Sequence, residues 1–187
     1  MEQLKVDFNK VIESLKLSEK SINSRKENLN QFVENGFPNK RAEDWKFSDL
    51  NQIISSNIEN LRFYTDFEIS EIDETTFIDK FAHNKIIFLN GVISKVDFSS
   101  EDDTKVLITR DLNQNENSKE VNSLVSLNNA LIASYIRVTV KENYSMNEPL
   151  IIYNITTKEL KSTAINLKTD IVLEKNSSLK LIDLFND

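Results

Sequence analysis

The sequence predicts an α+β protein whose first part is helical and whose last part consists of β-strands. Apolar residues recur at helical spacing near the N-terminus, and four β-rich runs follow one another from Tyr135 onward. No helical pattern separates these runs, which argues against a doubly wound α/β sheet. The runs suit a β-sandwich, a barrel or a β-solenoid, and strand patterning alone does not choose among these three folds.

Composition narrows the classes of protein to consider. The 187 residues, 39% of them hydrophobic, are enough to bury a core. The net charge of -7 repels phosphate groups, so nucleic acid and anionic membrane surfaces are not expected partners. The chain has no cysteine, which excludes disulfides and thiolate metal sites. The N-terminus has no signal-peptide core and no apolar run is long enough to span a membrane, so we expect a soluble, cytoplasmic protein.

Two helices are predicted before residue 36. The apolar stripe of the first helix consists of Leu4, Phe8, Val11, Ile12 and Leu15, and that of the second consists of Ile22, Leu29, Phe32 and Val33. Ser18 is placed to cap the second helix, and the segment SRKEN is expected to form its solvated face. Gly36 and Pro38 stand where a helix ends and cannot continue.

The middle of the chain predicts a β-hairpin and short elements around it. The segment after Leu50 is ambiguous in period, and DETTFIDKFAHN is expected to be a short helix. Two apolar runs flank Asn90 and Gly91, the residue pair favoured in a two-residue type I′ hairpin. The segment SSEDDT is expected to be a solvated turn and KVLIT a strand. Leu124, Leu127 and Leu131 have helical spacing and predict a further helix.

The β-rich runs occupy the C-terminal part. They are YIRVTV, PLIIYNI, AINLKTDIVLE and SLKLIDLF, and the third alternates apolar with polar residues. The chain ends within or just after an apolar strand. Because an uncapped β-stack exposes an unpaired edge, we expect the chain to be the N-terminal part of a longer protein.

Few residues suggest chemistry. Trp45 is expected to be a packing anchor rather than a ligand platform. The charged group Arg41, Glu43, Asp44 and Lys46 is expected to be a solvated surface, as is the acidic group Glu101, Asp102 and Asp103. His83, the only histidine, follows Asp79 by four residues and is expected to be a surface residue at a helix end. No catalytic, cofactor-binding or metal-ligating residue is predicted, and we expect that the chain is not an enzyme.

The segment RKENLNQFVENGFPNKRAEDWKFSDL resembles the N-terminal signature of the SufB/SufD family of iron–sulfur cluster assembly proteins, on the SufD side. That signature is a helix ending in Gly-hydrophobic-Pro, a charged link, and then Glu-x-Trp-Lys-aromatic-Thr-x-Leu. The matching residues are Gly36, Phe37, Pro38, Arg41, Glu43, Trp45, Lys46, Phe47 and Leu50, with Ser48 in place of threonine. The strands around Asn90 and Gly91, and the segments SLNNAL, EPLIIYNI and INLKTDIVLEKNSSLKLIDLF, are also similar to the family. The segment NNALIASYIRVTV departs from it, because it lacks a glycine-bearing link.

The resemblance implies an N-terminal helical domain followed by the start of a right-handed parallel β-helix. Residues 1–85 would form the helical domain, residues 86–134 a connecting hairpin, strand and helix, and residues 135–187 the first turns of the β-helix. It also implies a non-catalytic scaffold subunit that works with SufB-like and SufC-like subunits. The iron–sulfur cluster is then implied for the full complex, and this segment holds no cofactor itself.

Two other functions fit the sequence. One is an independent β-solenoid binding module, for example a carbohydrate-binding one, which requires exposed aromatic residues on a β face. The β half offers Tyr135, Tyr144, Tyr153 and Phe185 for this purpose. The other is a hydrolase that uses two carboxylates in a cleft, and the sequence places no such pair.

Overall fold

The computed structural model describes residues 2–40, 45–64, 77–114, 122–157, 160 and 162–186. The helices in this part are α1 (Glu2–Ser14), α2 (Glu19–Asn35), α3 (Leu50–Asn57), α4 (Ser100–Lys105) and α5 (Ser123–Leu131). The strands are β1 (Asn84–Leu89), β2 (Val92–Asp97), β3 (Val106–Thr109), β4 (Ser134–Val140), β5 (Leu150–Ile155), β6 (Leu167–Leu173) and β7 (Leu181–Asn186). The chain divides into two compact units, which we call the helical unit and the sheet unit.

The helical unit is assembled from three separate stretches, Met1–Thr65, Leu112–Ala133 and Lys161–Asn166. Its core consists of Leu4, Phe8, Val11, Leu29, Phe32, Phe63, Leu127, Ala130 and Leu131. On each helix these residues recur at intervals of three or four, so each helix turns one apolar stripe inward. The two predicted N-terminal helices and the predicted helix around Leu127 are confirmed.

Side-chain caps set the helix ends in this unit. The Ser18 hydroxyl accepts a hydrogen bond from the Ser21 amide at 3.2 Å, as predicted for the start of α2. Asp49 caps α3 in the same way, since its carboxylate accepts from the Gln52 amide at 2.9 Å. At the end of α2, the Gly36 amide donates to the Phe32 carbonyl at 2.7 Å.

The sheet unit contains two small mixed sheets. Four strands lie in the order β2-β1-β5-β7, and three lie in the order β3-β4-β6. In the first sheet β1 is antiparallel to β2 and parallel to β5, and β5 is parallel to β7. In the second sheet β4 is antiparallel to β3 and parallel to β6. Each sheet therefore combines one antiparallel pair with parallel pairing.

The predicted β-hairpin is confirmed between β1 and β2. Asn90 and Gly91 have φ of 49° and 81°, and their neighbours Leu89 and Val92 are paired. Positive φ at both central residues defines the type I′ turn, whose twist matches that of the strands. The buried Asn90 side chain also binds Thr157, donating to its hydroxyl at 3.0 Å and accepting from its amide at 2.9 Å. This asparagine therefore holds the end of β5 as well as shaping the turn.

β5 is buried on both faces. Leu150 and Ile152 pack into one apolar cluster of the sheet unit, and Ile151 and Tyr153 pack into another. Its sequence is a continuous apolar run rather than an alternation, as expected for a strand flanked by parallel neighbours and covered on both sides. β5 is thus one of the two inner strands of its sheet, together with β1.

The predicted architecture is wrong. The strands form two separate mixed sheets, and no β-helix is evident in the described part of the chain. The helices are also not an N-terminal domain, because α5 packs on α2 from residues far along the chain and α4 belongs to the sheet unit. The physical reason is that periodicity reports which face of an element is buried, whereas pairing depends on contacts between segments distant in sequence.

Three local predictions are also wrong. Residues 77–83 of the predicted helix DETTFIDKFAHN are not helical, and its residues 73–76 lie outside the described residues. The segment SSEDDT is not a solvated turn, because Ser99 caps α4, the other five residues lie within α4, and Asp102 is fully buried. The segment SRKEN is not wholly solvated, because Arg25 is buried.

Within the described residues, no helix has the length and apolarity needed to cross a membrane.

Candidate functional site

The signature segment continues beyond α2 to Leu50. The Leu50 amide donates to the Pro38 carbonyl at 3.1 Å, so these two residues of the signature lie close together. Phe37 attaches the residues that follow α2 to the helical unit. The Phe37 ring meets the Phe32 ring edge-on at 5.0 Å and packs on the core of that unit. Two predicted site residues, Arg41 and Glu43, lie outside the described residues.

The aromatic part of the signature lies nearer to solvent than a core anchor would. Trp45 is half-buried, and its carbonyl accepts from the Ser48 amide at 2.8 Å. Phe47 is 89% exposed, and Lys46 places its ammonium 5.0 Å from the centre of that ring. An exposed cation–π pair of this kind contributes little stability, about 0.5–1 kcal/mol. The structure thus brings Trp45, Lys46 and Phe47 together in one exposed turn.

Gly36 provides a local test of the backbone geometry after α2. Its φ is 68° and its ψ is -168°, a conformation that side chains disfavour, although open space surrounds the position of a Cβ. We expect Gly36→Ala to lower the free energy of unfolding by about 1–2 kcal/mol through backbone strain alone. Urea denaturation measures this, with exposed Glu34→Ala as the control. A Gly36→Ala protein as stable as the control would show that the backbone there relaxes without cost.

Of the described strands, β2 and β7 lie at the edges of the first sheet, and β3 and β6 lie at the edges of the second. β7 has β5 as its only partner in the described chain, and β6 has β4. The large apolar residues that β6 and β7 expose are Val172, Leu173, Leu181 and Phe185, the last of them 76% exposed. Open edges with exposed apolar side chains are templates for pairing with another strand.

The turns beside these edges repeat one arrangement. Asn143 and Asn176 both have positive φ, and the Asn176 amide donates to the Asn143 side-chain oxygen at 3.0 Å. Two residues further along, the Ser178 hydroxyl donates to that of Ser145 at 2.8 Å. These like-to-like contacts stack the turns in register. They leave Asn176 and Ser178 on the outer layer, next to the start of β7.

A cavity of about 450 Å³ lies at the start of β1. Its lining includes Asp79, His83, Lys85, Asp97 and Glu148, together with the rings of Phe81 and Phe98. The structure thus brings together carboxylates that no sequence motif connects. A carboxyl that serves as a general acid sits in an apolar setting, whereas the Asp97 side chain is 46% exposed and 3.2 Å from the Lys95 ammonium. Asp97 therefore lacks the apolar setting that a general acid needs.

Asp102 is the centre of a buried hydrogen-bond network. Its carboxylate accepts from the Asn84 amide group at 2.8 Å, the Tyr144 hydroxyl at 2.7 Å and the Ser99 hydroxyl at 3.1 Å. It also accepts from the backbone amides of Asn147 and Glu148. Burial by itself raises the pKa of Asp102, but these donors outweigh burial and hold the pKa below its usual range. The network joins α4, the start of β1 and the turn before β5.

One local signal in the sequence points to part of this network. Ser99 and Asp102 have the spacing of a helix-capping motif, in which a hydroxyl residue precedes an acidic residue by three. In the structure the Ser99 hydroxyl accepts from the Asp102 amide at 3.3 Å and caps α4. The motif therefore indicates a helix start where the acidic composition alone suggests a solvated turn.

A second polar cluster joins β4 to β6. Asp170 accepts from the Tyr135 hydroxyl at 2.8 Å and from the Arg137 guanidinium at 3.0 Å. Burial, followed by the Asp170 carboxylate, raises the pKa of Tyr135 to about 12. Tyr135 and Tyr153 are both buried, so among the four aromatic candidates for carbohydrate binding only Phe185 is exposed. A flat aromatic platform is not formed by these residues.

Arg25 is a buried cation that ties α2 to the end of α5. One guanidinium nitrogen, Nη1, donates to the Ala130 carbonyl at 3.2 Å and to the Ile132 carbonyl at 2.8 Å. Its Nε and Nη2 atoms are buried and have no hydrogen-bond partner among the described residues, and burial lowers the pKa of Arg25 to about 10. A positive charge at a helix C-terminus is favourable because the last carbonyls there lack helical partners. The signal in the sequence is that Arg25 shares the helical face of Ile22, Leu29 and Phe32.

In the described ranges, no group of three or more His, Asp and Glu residues could hold a metal ion. The one histidine, His83, uses both ring nitrogens in hydrogen bonds with Phe81 and Tyr153. Compared with known proteins, the chain matches no family model and has no significant match among curated proteins. The case for any function therefore depends on the residues themselves.

Proposed function

We propose that this chain is a non-catalytic assembly subunit of a cytoplasmic iron–sulfur cluster assembly complex, in the manner of SufD. The observation that carries the proposal is the pair of open, apolar strand edges at β6 and β7. The resemblance of residues 25–50 to the SufB/SufD signature supplies the identity of the partners, which are SufB-like and SufC-like subunits.

The outer edge of β7 presents main-chain N–H and C=O groups with which a further strand could pair. The Leu150 amide donates to the Lys180 carbonyl and the Thr156 amide to the Asn186 carbonyl, both at 2.9 Å. Along a strand, the main-chain N–H and C=O groups of successive residues point alternately to one side and the other. The even-numbered residues of β7 point theirs toward β5, so Leu181, Asp183 and Phe185 point theirs away from it. A partner strand placed there would gain main-chain hydrogen bonds and cover Leu181 and Phe185.

The cluster is the cargo of the proposed complex and not a cofactor of this chain. Iron–sulfur clusters are held by cysteine thiolates, and the chain has no cysteine. The imidazole of His83 already makes two hydrogen bonds, so it does not fit a ligand role in this geometry. The proposal therefore assigns cluster binding to a partner subunit and derives no chemical step on this chain.

Co-purification tests the proposal. The chain would be co-expressed with the SufB-like and SufC-like subunits of the same organism, with an affinity tag on the chain. We expect the tagged chain to retain the SufB-like subunit. We also expect Leu181→Lys combined with Phe185→Lys to reduce recovery of that subunit by about tenfold, because charge on an edge strand opposes pairing.

The control is Leu107→Lys, which introduces a single positive charge at an exposed apolar residue on β3, the opposite edge of the second sheet. This variant is expected to retain the partner. If the unmodified chain retains neither subunit, the proposed function is wrong. If both lysine variants lose the partner equally, the β7 edge is not the contact surface.

A further inference from the structure

The Tyr153 hydroxyl is within hydrogen-bond distance of two chemical groups in residues 77–83, the Ile78 amide and the His83 imidazole. It is 3.2 Å from the Ile78 amide and 2.8 Å from Nε2 of His83. Tyr153 itself is fully buried in β5, whereas residues 77–83 belong to no helix or strand. The ring of Phe77 meets the Tyr153 ring edge-on at 4.9 Å. Phe77 and Ile78 also pack against the apolar cluster that includes Ile151 and Tyr153, and the Tyr153 hydroxyl adds the polar attachment of residues 77–83 to the sheet.

The directions of these hydrogen bonds follow from the donors and acceptors present. Nδ1 of His83 lies 2.9 Å from the Phe81 carbonyl, which can only accept, so Nδ1 carries a hydrogen. In the neutral imidazole Nε2 is then an acceptor, and it receives the Tyr153 hydroxyl hydrogen. The Tyr153 oxygen accepts from the Ile78 amide. The Ile78 amide thus donates to the Tyr153 hydroxyl, and that hydroxyl donates to Nε2 of His83. Both hydrogen bonds are formed with these donors only when the imidazole is neutral.

We infer that His83 is a proton-operated latch that holds residues 77–83 on β5 when neutral and releases them when protonated. A proton taken from solvent at Nε2 turns that atom into a donor facing the Tyr153 oxygen. The hydroxyl hydrogen then has no acceptor, because in the described chain its oxygen contacts only Ile78 and His83. A buried donor without a partner is unfavourable, so the contact between His83 and Tyr153 breaks.

The groups around His83 give the protonated ring an alternative position. Asp79, Asp97 and Glu148 line the same cavity and attract an imidazolium, whereas Lys85 repels it. Lys95 partly neutralises Asp97. The carboxylates outnumber the cations at the cavity, so a protonated His83 is drawn away from Tyr153 and toward the cavity. The latch thus has two arrangements, and the proton selects between them.

Native-state hydrogen exchange at the Ile78 amide tests the latch. Its protection is measured relative to the intrinsic exchange rate at about pH 8 and about pH 5, the range in which histidine titrates. The Leu150 amide, which donates to the Lys180 carbonyl within the sheet, reports any general loosening. We expect Ile78 protection to fall about tenfold relative to Leu150 at the lower pH, the change that the loss of one hydrogen bond produces.

Two variants separate the latch from other causes. His83→Gln cannot gain a proton, and its Ile78 protection is expected to be independent of pH. Tyr153→Phe keeps the ring but removes the acceptor, and its Ile78 protection is expected to be low at both pH values. The inference is overturned if the unmodified chain shows no relative fall, if His83→Gln shows the same fall, or if Tyr153→Phe keeps full protection.

Discussion

Asp102→Ala is expected to lower the free energy of unfolding by about 3 kcal/mol, the largest effect of any single polar substitution that we predict. The change removes a carboxylate that accepts five hydrogen bonds, so the Tyr144 hydroxyl loses its acceptor and the buried Asn84 amide group keeps only its bond to the Glu148 carbonyl. In a chain of this length, such a loss lowers the Tm by about 6–12 °C. Urea denaturation and thermal unfolding both measure it.

The effect of Asp102 depends on pH in a defined direction. The folded structure holds the pKa of this carboxyl below its usual range, so the unfolded chain binds the proton more readily than the folded chain. The stability that Asp102 contributes is therefore present above the unfolded pKa of about 3.9 and is lost as the pH falls through the folded pKa. The difference between the unmodified protein and Asp102→Ala should be largest near neutral pH and should shrink in acid.

Asp103→Ala is the matched control, because Asp103 is exposed in the same helix. It is expected to change the free energy of unfolding by no more than about 0.5 kcal/mol. Equal effects of the two alanine variants would contradict the network, and so would a difference that stays constant into acid.

Arg25→Ala is expected to cost about 2–3 kcal/mol. The substitution empties the volume of a fully buried side chain and leaves the carbonyls of Ala130 and Ile132 without their donor. An opposing effect is the removal of a buried charge whose Nε and Nη2 atoms find no hydrogen-bond partner in the described part of the chain. The loss of packing and of two charge-assisted hydrogen bonds outweighs that relief, so the net effect is destabilising.

Two variants separate these contributions. Arg25→Met removes the same hydrogen bonds but keeps most of the volume, so it should be less destabilising than Arg25→Ala. Lys26→Ala, at the exposed neighbouring position of α2, should change stability little. Chemical denaturation of the three proteins decides the matter. If Arg25→Ala unfolds like Lys26→Ala, the guanidinium does not hold α5.

The candidate sites were predictable only where their residues act locally. Asn90 and Gly91 predicted the hairpin because a type I′ turn needs two adjacent residues with positive φ. Gly36 predicted the end of α2 because the residue after a helix often has positive φ as well. By contrast, the contact between Tyr153 and His83 joins residues 70 positions apart. Nothing in the neighbourhood of either residue indicates the other.

The same limit explains the errors about charged residues. Asp102 lies in an acidic segment whose composition suggests a solvated turn, and Arg25 lies in a segment rich in charge. Whether such a group is buried depends on partners that fold against it, such as Tyr144 for Asp102 and the carbonyl of Ile132 for Arg25. Buried charges are stable only with such partners, and the partners come from other parts of the chain.

The sequence by itself determined where most helices and strands begin and end, because caps, turn residues and apolar periodicity act within a few residues. Ser18, Gly36 and the pair Asn90–Gly91 are examples. Only the tertiary structure decided that the strands form two mixed sheets and that α5 joins the N-terminal helices. Strand pairing and helix packing are set by the shapes of surfaces that meet only after folding, and a one-dimensional pattern does not contain those shapes.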